Sequence, residues 1–220
     1  MNNTVYIDPQ DILKEQHKYF SDIFSSHNSE APLLDENTKN FFPENRPHLT
    51  TEERHICEGL ITEEELTLAI NSFKTGKSPG LDGIPIEFYK AFYPKIKIHM
   101  LDCFSYAYSE GKLSGTQQEG LISLLLKQES NGQYKDPTTL KNWRPLTLQC
   151  YDVKILAKCI ANRIKKVLSK LIHPNQSGFM KGRNINENIR QILEIIEFYE
   201  NVQKPGIIVI TDLEKAFDKL

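Results

Sequence analysis

The most strongly patterned part of the chain is the segment 152–172, which predicts one long amphipathic helix. Its apolar stripe consists of Leu156, Ile160, Ile164, Val167, Leu168 and Leu171. Basic side chains fill most of the remaining positions, namely Lys154, Lys158, Arg163, Lys165, Lys166 and Lys170. Asp152 stands at the start and is predicted to be the N-cap. The basic face is either a solvated surface or a set of phosphate contacts to a nucleic acid.

Other patterns predict an α+β fold that is rich in helix. Helices are expected over 10–25, 62–73 and 185–200, the second opened by a Thr62–Glu65 capping box. Two more are expected within 86–109, split near Tyr93–Pro94. The segments 120–127 and 143–149 predict a hairpin whose first strand is buried, and a last strand begins near residue 206.

Two cations stand on the predicted hairpin, one on each strand. Lys127 ends the first strand and Arg144 lies near the start of the second. A β-ribbon that brings an ammonium and a guanidinium together offers a clamp for a triphosphate, since arginine can donate two hydrogen bonds to phosphate oxygens. This pair predicts nucleotide binding.

The loop TGKSPGLDGIP follows helix 62–73 and contains three glycines, two prolines and Lys77. Its Gly76–Lys77–Ser78 resembles the end of a phosphate-binding P-loop, but Asn71 stands where the first glycine belongs and a helix precedes the loop. A solvent-exposed turn and a basic loop against a nucleic-acid backbone both remain open.

The apolar run Gly206–Ile207–Ile208–Val209 leads to Asp212. A carboxylate at the end of a buried strand is a common ligand of Mg²⁺. The alternative is an aspartate that caps a following helix, and the spacing favours neither. Asp218 and Glu214 are poor partners for the same ion, so a two-metal site needs further carboxylates.

The charge distribution separates the two ends of the chain. Residues 1–66 contain 14 acidic and 5 basic side chains, and residues 67–220 contain 15 acidic and 22 basic ones. The basic part predicts a polyanionic partner. The four cysteines form no C-x-x-C pair and are expected to be reduced thiols of a cytosolic or nuclear protein. No apolar run approaches the length of a membrane span, so no membrane partner is expected.

Five segments in order resemble the reverse transcriptase of LINE-type (non-LTR) retrotransposons: GKSPGLDGIPIEFYK, LISLLLK, NWRPLTLQCYDVKILAKCIANRI, LIHPNQSGFMKGR and ITDLEKAFDKL. Five motifs in family order are a highly specific signal. The resemblance implies the right-hand polymerase fold. It divides the chain into an N-terminal helical extension and linker (1–61), the fingers (62–205) and the start of the palm with its first palm strand (206–220).

The same resemblance implies roles for individual residues. Lys127 and Arg144 would face the triphosphate of the incoming dNTP, Asp212 would be the first catalytic aspartate and a Mg²⁺ ligand, and the carbonyl of Leu213 would help to hold the metal. Phe217 matches the steric gate that excludes a ribose 2′-hydroxyl. The segment QSGFMKGR matches at Gln176, Gly178, Phe179, Gly182 and Arg183. The expected nucleic-acid contacts are Lys77, Lys154, Lys158, Lys181 and Arg183.

Three functional hypotheses follow. The first is an RNA-directed DNA polymerase with Mg²⁺, template RNA, primer DNA and dNTP as partners, in a cytoplasmic and nuclear ribonucleoprotein. Because the sequence stops after the first catalytic aspartate, the chain is expected to be a truncated fragment and inactive alone. The second is a non-catalytic RNA-binding remnant of the fingers. The third is a chain without function whose last strand is left exposed and prone to aggregation.

Overall fold

The computed structural model describes residues 5–25 and 47–212. They fall into two compact units, Pro47–Leu171 and a second unit that comprises 5–25 and 172–212. The first unit contains α2 (Thr51–Cys57), α3 (Glu63–Ser72), α4 (Ile86–Glu110), β1 (Gly120–Leu126), β2 (Trp143–Gln149) and α5 (Tyr151–Leu171). The second contains α1 (Pro9–Phe24) and α6 (Ile185–Asn201). The helix-rich α+β class is confirmed. The predicted division at residues 61 and 205 stays a prediction.

Helices α2 and α3 begin at capping boxes. At α3 the Thr62 hydroxyl accepts from the Glu65 amide at 3.3 Å, and the Glu65 carboxylate accepts from the Thr62 amide at 3.0 Å, as the sequence predicted. Thr50 and Glu53 repeat the arrangement at α2. Each box satisfies two backbone donors that the first turn of a helix would otherwise leave free.

The core of the first unit forms where α3, α4 and α5 pack together. Its buried members are Leu66, Ala69, Ile70, Ile86, Tyr89, Met100, Phe104, Tyr151, Ile155 and Cys159. Burial raises the pKa of the Cys159 thiol to about 11, with the Glu65 carboxylate adding to the effect, so this thiol stays protonated. Among the described residues, one charged side chain is buried beside this core.

That side chain is Arg163, and its burial corrects the predicted face of α5. The side chains buried at four-residue spacing are Tyr151, Ile155, Cys159, Arg163 and Val167, whereas Ile160 and Ile164 are exposed. The guanidinium of Arg163 donates to both carboxylate oxygens of Glu65 at 2.6 Å. It also donates to the backbone carbonyls of residues 58, 59 and 60 at 2.6–3.1 Å. Arg163 thus belongs to the interior and not to the solvated basic face.

The predicted break at Tyr93–Pro94 is wrong, because α4 continues through Pro94. Contacts to α3 hold both sides of the proline in register. The Tyr93 hydroxyl lies 2.6 Å from that of Thr67, and the Lys97 ammonium pairs with Glu63. These contacts offset the helical hydrogen bond that proline cannot donate.

The start of α5 also differs from the prediction. The helix begins at Tyr151, and the Lys154 amide donates to the carbonyl of Cys150 at 3.2 Å. Asp152 therefore lies inside the first turn and is not the N-cap. Its carboxylate accepts from Gln117 Nε2 at 2.8 Å and from the Val153 amide at 2.7 Å.

The hairpin is confirmed. Strands β1 and β2 pair antiparallel from Gly120 opposite Gln149 to Leu126 opposite Trp143. The expected burial of β1 is wrong, because Leu121, Ile122 and Leu125 are each about half exposed. The described residues add no third strand to this ribbon and cover neither face completely.

In the second unit, Arg183 organises the chain before α6. Its guanidinium donates to the carbonyls of Ile172, His173 and Gln176 at 2.6–3.1 Å. The apolar side chains of α6 remain exposed within the described residues. The predicted last strand does not form there. Residues 206–212 are unpaired, and Ile207 is 92% exposed.

We predict that Arg163→Ala lowers the free energy of unfolding by about 3–5 kcal/mol, because it leaves the Glu65 carboxylate partly buried without its cation. The matched control is Lys165→Ala, an exposed position two residues along α5, which should change it by less than about 0.5 kcal/mol. Urea unfolding measures both. Equal effects of the two substitutions would contradict the central place given to Arg163.

A second prediction concerns pH. Hydrogen bonds from Arg163 lower the pKa of Glu65 from its ordinary value of 4.5, against the opposing effect of burial. A carboxyl whose pKa is lower in the folded state stabilises the fold above the unfolded-state pKa and loses this contribution as the pH falls through the folded-state pKa. In the variant Glu65→Gln, the free energy of unfolding should therefore fall less steeply below about pH 4.5 than in the wild type. The exposed neighbour variant Glu64→Gln should keep the wild-type loss, and urea midpoints between neutral and acid pH decide the matter.

Candidate nucleotide and nucleic-acid interface

The register of the ribbon, extended by one residue beyond the end of β1, places Lys127 and Arg144 on one face. Arg144 pairs with Leu125, and the amide of Lys127 donates to the carbonyl of Asn142 at 2.8 Å. Side chains two residues apart along a strand lie on the same face, so Lys127 shares its face with Leu125 and with Arg144 opposite. The two cations are diagonal neighbours, a relation that spans roughly 7–8 Å between their backbones.

The two side chains differ in their local contacts. The ammonium of Lys127 donates to the carbonyl of Lys141 at 2.7 Å, which anchors it near the end of the hairpin loop. Arg144 is exposed, and its guanidinium has no hydrogen-bond partner within residues 5–25 and 47–212. An anchored ammonium beside an available guanidinium is an arrangement that can bind an anion with several oxygens.

The loop between the two strands is ordered by its own polar groups. Gln128 and Tyr134 form a β-bridge, and Gly132 adopts a positive φ of 83° at the turn. Asp136 accepts from the Thr138 hydroxyl at 2.7 Å, and Trp143 Nε1 donates to the Pro137 carbonyl at 2.9 Å. This long loop therefore holds the base of the ribbon, and with it Lys127, in a defined position.

The glycine-rich loop is attached to the start of α5. A Cβ on Gly80 would lie 2.3 Å from the amide nitrogen of Cys150, so only glycine fits there. The Gly76 amide donates to a Glu87 carboxylate oxygen at 2.6 Å. Helix α3 precedes the loop, which removes the strand that a P-loop needs. Lys77 remains exposed at the surface of the loop.

The remaining predicted nucleic-acid contacts have different surroundings. Lys154 is half-buried, with its ammonium 4.5 Å from the centre of the Tyr151 ring in a cation–π contact, and Lys158 one turn later is half-buried. In the second unit Lys181 is exposed, whereas Arg183 makes the backbone contacts described above. These side chains therefore do not form one surface within a single unit.

Asp212 is exposed at the end of the unpaired segment, and Leu213 and Phe217 lie outside the described residues. Among the described residues, the one group of three potential metal ligands close enough to share an ion does not include Asp212. A single carboxylate fits Mg²⁺ chemistry but supplies only one of the six ligands that this ion takes.

Phe179 has an unusual backbone conformation that the sequence did not predict. It adopts φ 61°, in the left-handed region that non-glycine residues rarely occupy, and its side chain is 97% exposed. An exposed ring held in an unfavourable backbone conformation is typical of functional positions. The sequence signal for Phe179 was its place in the QSGFMKGR family match.

Comparison with known proteins indicates which class of protein the chain resembles. Residues 129–220 match the family described as Reverse transcriptase (RNA-dependent DNA polymerase). The match includes Arg144, the basic positions of α5, the segment around Arg183, and Asp212, and it begins two residues after Lys127.

Individual relatives extend the similarity over nearly the whole chain. A Xenopus laevis protein named "Transposon TX1 uncharacterized 149 kDa protein" is 30% identical over 97% of the chain, which covers 15% of that relative. The "Putative 115 kDa protein in type-1 retrotransposable element R1DM" of Drosophila melanogaster is 27% identical over 83% of the chain, covering 17% of the relative. A third, "Probable RNA-directed DNA polymerase from transposon BS" of the same organism, is 22% identical over 73% of the chain and 17% of its own length.

The chain is therefore similar to the reverse transcriptases of LINE-type (non-LTR) retrotransposons, as its motifs predicted. It spans about one sixth of the length of the curated relatives that it matches. Within the described residues, none of the helices combines the length and apolar character required to cross a membrane.

We predict that Gly80→Ala lowers the free energy of unfolding by about 1–3 kcal/mol or more, because the new methyl group would overlap the backbone of Cys150. Gly115→Ala is the matched control. Gly115 has an ordinary helical φ of −53° and nothing within 4 Å of an added Cβ, so the substitution should be nearly neutral. Thermal unfolding of the two variants provides the comparison.

Proposed function

We propose that this chain takes part in RNA-directed DNA synthesis, in which a primer 3′-hydroxyl attacks the α-phosphate of a dNTP. The observation that carries the proposal is the shared face of Lys127 and Arg144 on the β1–β2 ribbon. The family match of residues 129–220 supports it independently. The ribbon, α3, α4 and α5 would then be the fingers, and residues from 206 onward would begin the palm.

The ribbon would bind the triphosphate of the incoming nucleotide. The Arg144 guanidinium can donate to two phosphate oxygens at once, whereas Lys127 contributes a point charge near the hairpin loop. Neutralising the triphosphate in this way would position the α-phosphate and favour the departure of pyrophosphate. The apolar Leu125 between the two cations would limit the water around the phosphates.

Asp212 would provide the metal chemistry. Its carboxylate and the carbonyl of Leu213 would hold Mg²⁺, and the ion would supply charge for the attacking and leaving oxygens. Phe217 would exclude a ribose 2′-hydroxyl by its bulk. Because Asp212 belongs to no group of three potential metal ligands among the described residues, we expect the 220 residues by themselves to be inactive. The whole relatives would require further ligands.

The basic positions would contact the template RNA and primer DNA. Lys77 lies on the loop that touches the start of α5, and Lys154 and Lys158 lie on successive turns of α5. Lys181 and Arg183 belong to the second unit, where the backbone contacts of Arg183 would shape the loop that presents Lys181. Such contacts recognise the phosphate charge of the nucleic acid and do not discriminate between base sequences.

A binding module without chemistry is the alternative function. It is favoured by the net positive charge of residues 67–220, and by the absence of Asp212 from the ligand group found within the described residues. This alternative uses the same RNA contacts as the first proposal. Unlike the polymerase, it requires no further carboxylates.

We predict that the purified chain binds single-stranded RNA with strong salt dependence. Because each lost phosphate contact lowers the slope of log K against log salt by about 0.7, Lys154→Ala with Lys158→Ala should lower it by about 1.4. The matched control is Lys14→Ala, an exposed lysine of α1 that pairs with Asp11 in the acidic part of the chain. Fluorescence anisotropy at several salt concentrations measures the slopes, and binding that is independent of salt would contradict the RNA contacts.

Primer extension tests the chemistry itself. The 220-residue chain with an RNA template, a DNA primer, Mg²⁺ and dNTPs should extend no primer. Extension that disappears in Asp212→Ala would overturn the expected inactivity and establish the polymerase. Extension that persists in Asp212→Ala would remove Asp212 from the proposed metal site.

A further inference from the structure

Three potential metal ligands meet in the first unit, at a place that none of the proposed polymerase steps uses. They are the carboxylates of Asp82 and Asp152 and the thiol of Cys150, whose ligand atoms all lie within 4.8 Å of one another. Asp82 belongs to the glycine-rich loop, Cys150 follows β2, and Asp152 lies in the first turn of α5. The group is thus assembled by the fold and not by sequence proximity alone.

The close approach at Gly80 explains why these segments meet. The backbone of Gly80 lies directly against residues 149–150, at a distance that no side chain would allow. The chain then turns back, with the Gly83 amide donating to the Gly80 carbonyl at 3.1 Å. Asp82 occupies this turn, so the turn directs it toward Cys150 and Asp152.

The two carboxylates are already oriented by other groups. Asp82 accepts from the Ile84 amide at 3.0 Å, and Asp152 accepts from the amide of Gln117, a buried side chain, at 2.8 Å. Carboxylate oxygens retain further lone pairs after one such hydrogen bond. Metal ligands in proteins are commonly held by a second layer of hydrogen bonds of this kind.

The thiol is the second observation that points to an ion. Cys150 is 7% exposed, and its sulfur makes no hydrogen bond within the described residues. A buried cysteine by itself is usually inert packing. Here its sulfur lies beside two carboxylates instead of among apolar side chains alone, and soft sulfur combined with oxygen ligands is a donor set for a transition metal.

The group contains two carboxylates and no basic side chain. No ion pair of the described residues includes Asp82 or Asp152. Two neighbouring carboxylates without a cation repel each other, and a bound cation would remove that repulsion.

We propose that Asp82, Cys150 and Asp152 bind one Zn²⁺ ion. Zinc accepts cysteine sulfur together with carboxylate oxygen, whereas Mg²⁺ and Ca²⁺ require oxygen ligands alone. The three side chains leave a fourth tetrahedral position for water, which the exposure of Asp82 permits. The ion would fasten the glycine-rich loop, and with it Lys77, to the start of α5. It is distinct from the Mg²⁺ proposed at Asp212 and does not depend on the proposed function.

Cobalt titration of the reduced 220-residue chain tests the site, because Co²⁺ substitutes for Zn²⁺ and gives a near-ultraviolet charge-transfer band when sulfur binds it. We expect the band to saturate at one Co²⁺ per chain, to be displaced by Zn²⁺ and to survive excess Mg²⁺. Cys150→Ser should abolish it. The control Cys57→Ser, at the end of α2, should retain it.

Asp82→Asn provides a second variant that keeps the thiol and changes only an exposed side chain. It should weaken Co²⁺ binding by at least about tenfold. The proposal is overturned if the wild-type chain gives no band, if the band persists in Cys150→Ser, or if Asp82→Asn binds Co²⁺ as tightly as wild type. Should Cys150→Ser fail to fold by circular dichroism, the Asp82→Asn titration decides.

Discussion

The packing of the first unit depends on the ion pair between Arg163 and Glu65. The Arg163 guanidinium makes five hydrogen bonds, two to the Glu65 carboxylate and three to the carbonyls of residues 58, 59 and 60. The same carboxylate completes the capping box of α3. One ion pair therefore fixes the start of α3, the connection from α2 and the middle of α5. Buried ion pairs repay their desolvation only when such additional hydrogen bonds are present, and here every donor and acceptor is engaged.

The glycine-rich loop and the β1–β2 ribbon are both positioned by the start of α5. Helix α5 presents its N-terminal turn to the glycine-rich loop, where Gly80 allows backbone contact with residues 149–150. The same segment ends β2, whose pairing with β1 sets the positions of Lys127 and Arg144. The ribbon remains half exposed, as the proposed binding of a nucleotide requires. The Arg163 pair and the ribbon are thus connected through α5.

Local sequence signals predicted the elements that local chemistry determines. The capping box at Thr62, the hairpin and the helix over 152–172 all formed, because each depends on neighbouring residues. The errors concern tertiary contacts. Arg163 looked like part of a basic face, since nothing in its neighbourhood reveals Glu65, ninety-eight positions away. Pro94 looked like a break, because the bonds from Tyr93 and Lys97 to α3 are invisible in sequence. The pairing of the two strands was predictable from the sequence, whereas the meeting of Asp82 with Cys150 required the fold.

The affinity of the chain for a deoxynucleoside triphosphate tests the proposed role of the ribbon most directly. A fluorescent dNTP is titrated against the wild-type chain, Arg144→Ala and the control Lys135→Ala, which changes a lysine of the loop between the strands. We predict that Arg144→Ala weakens binding at least about tenfold, the cost of one charge-assisted hydrogen bond, and that Lys135→Ala leaves binding unchanged. Equal binding by all three proteins would contradict the assignment of the ribbon to the triphosphate.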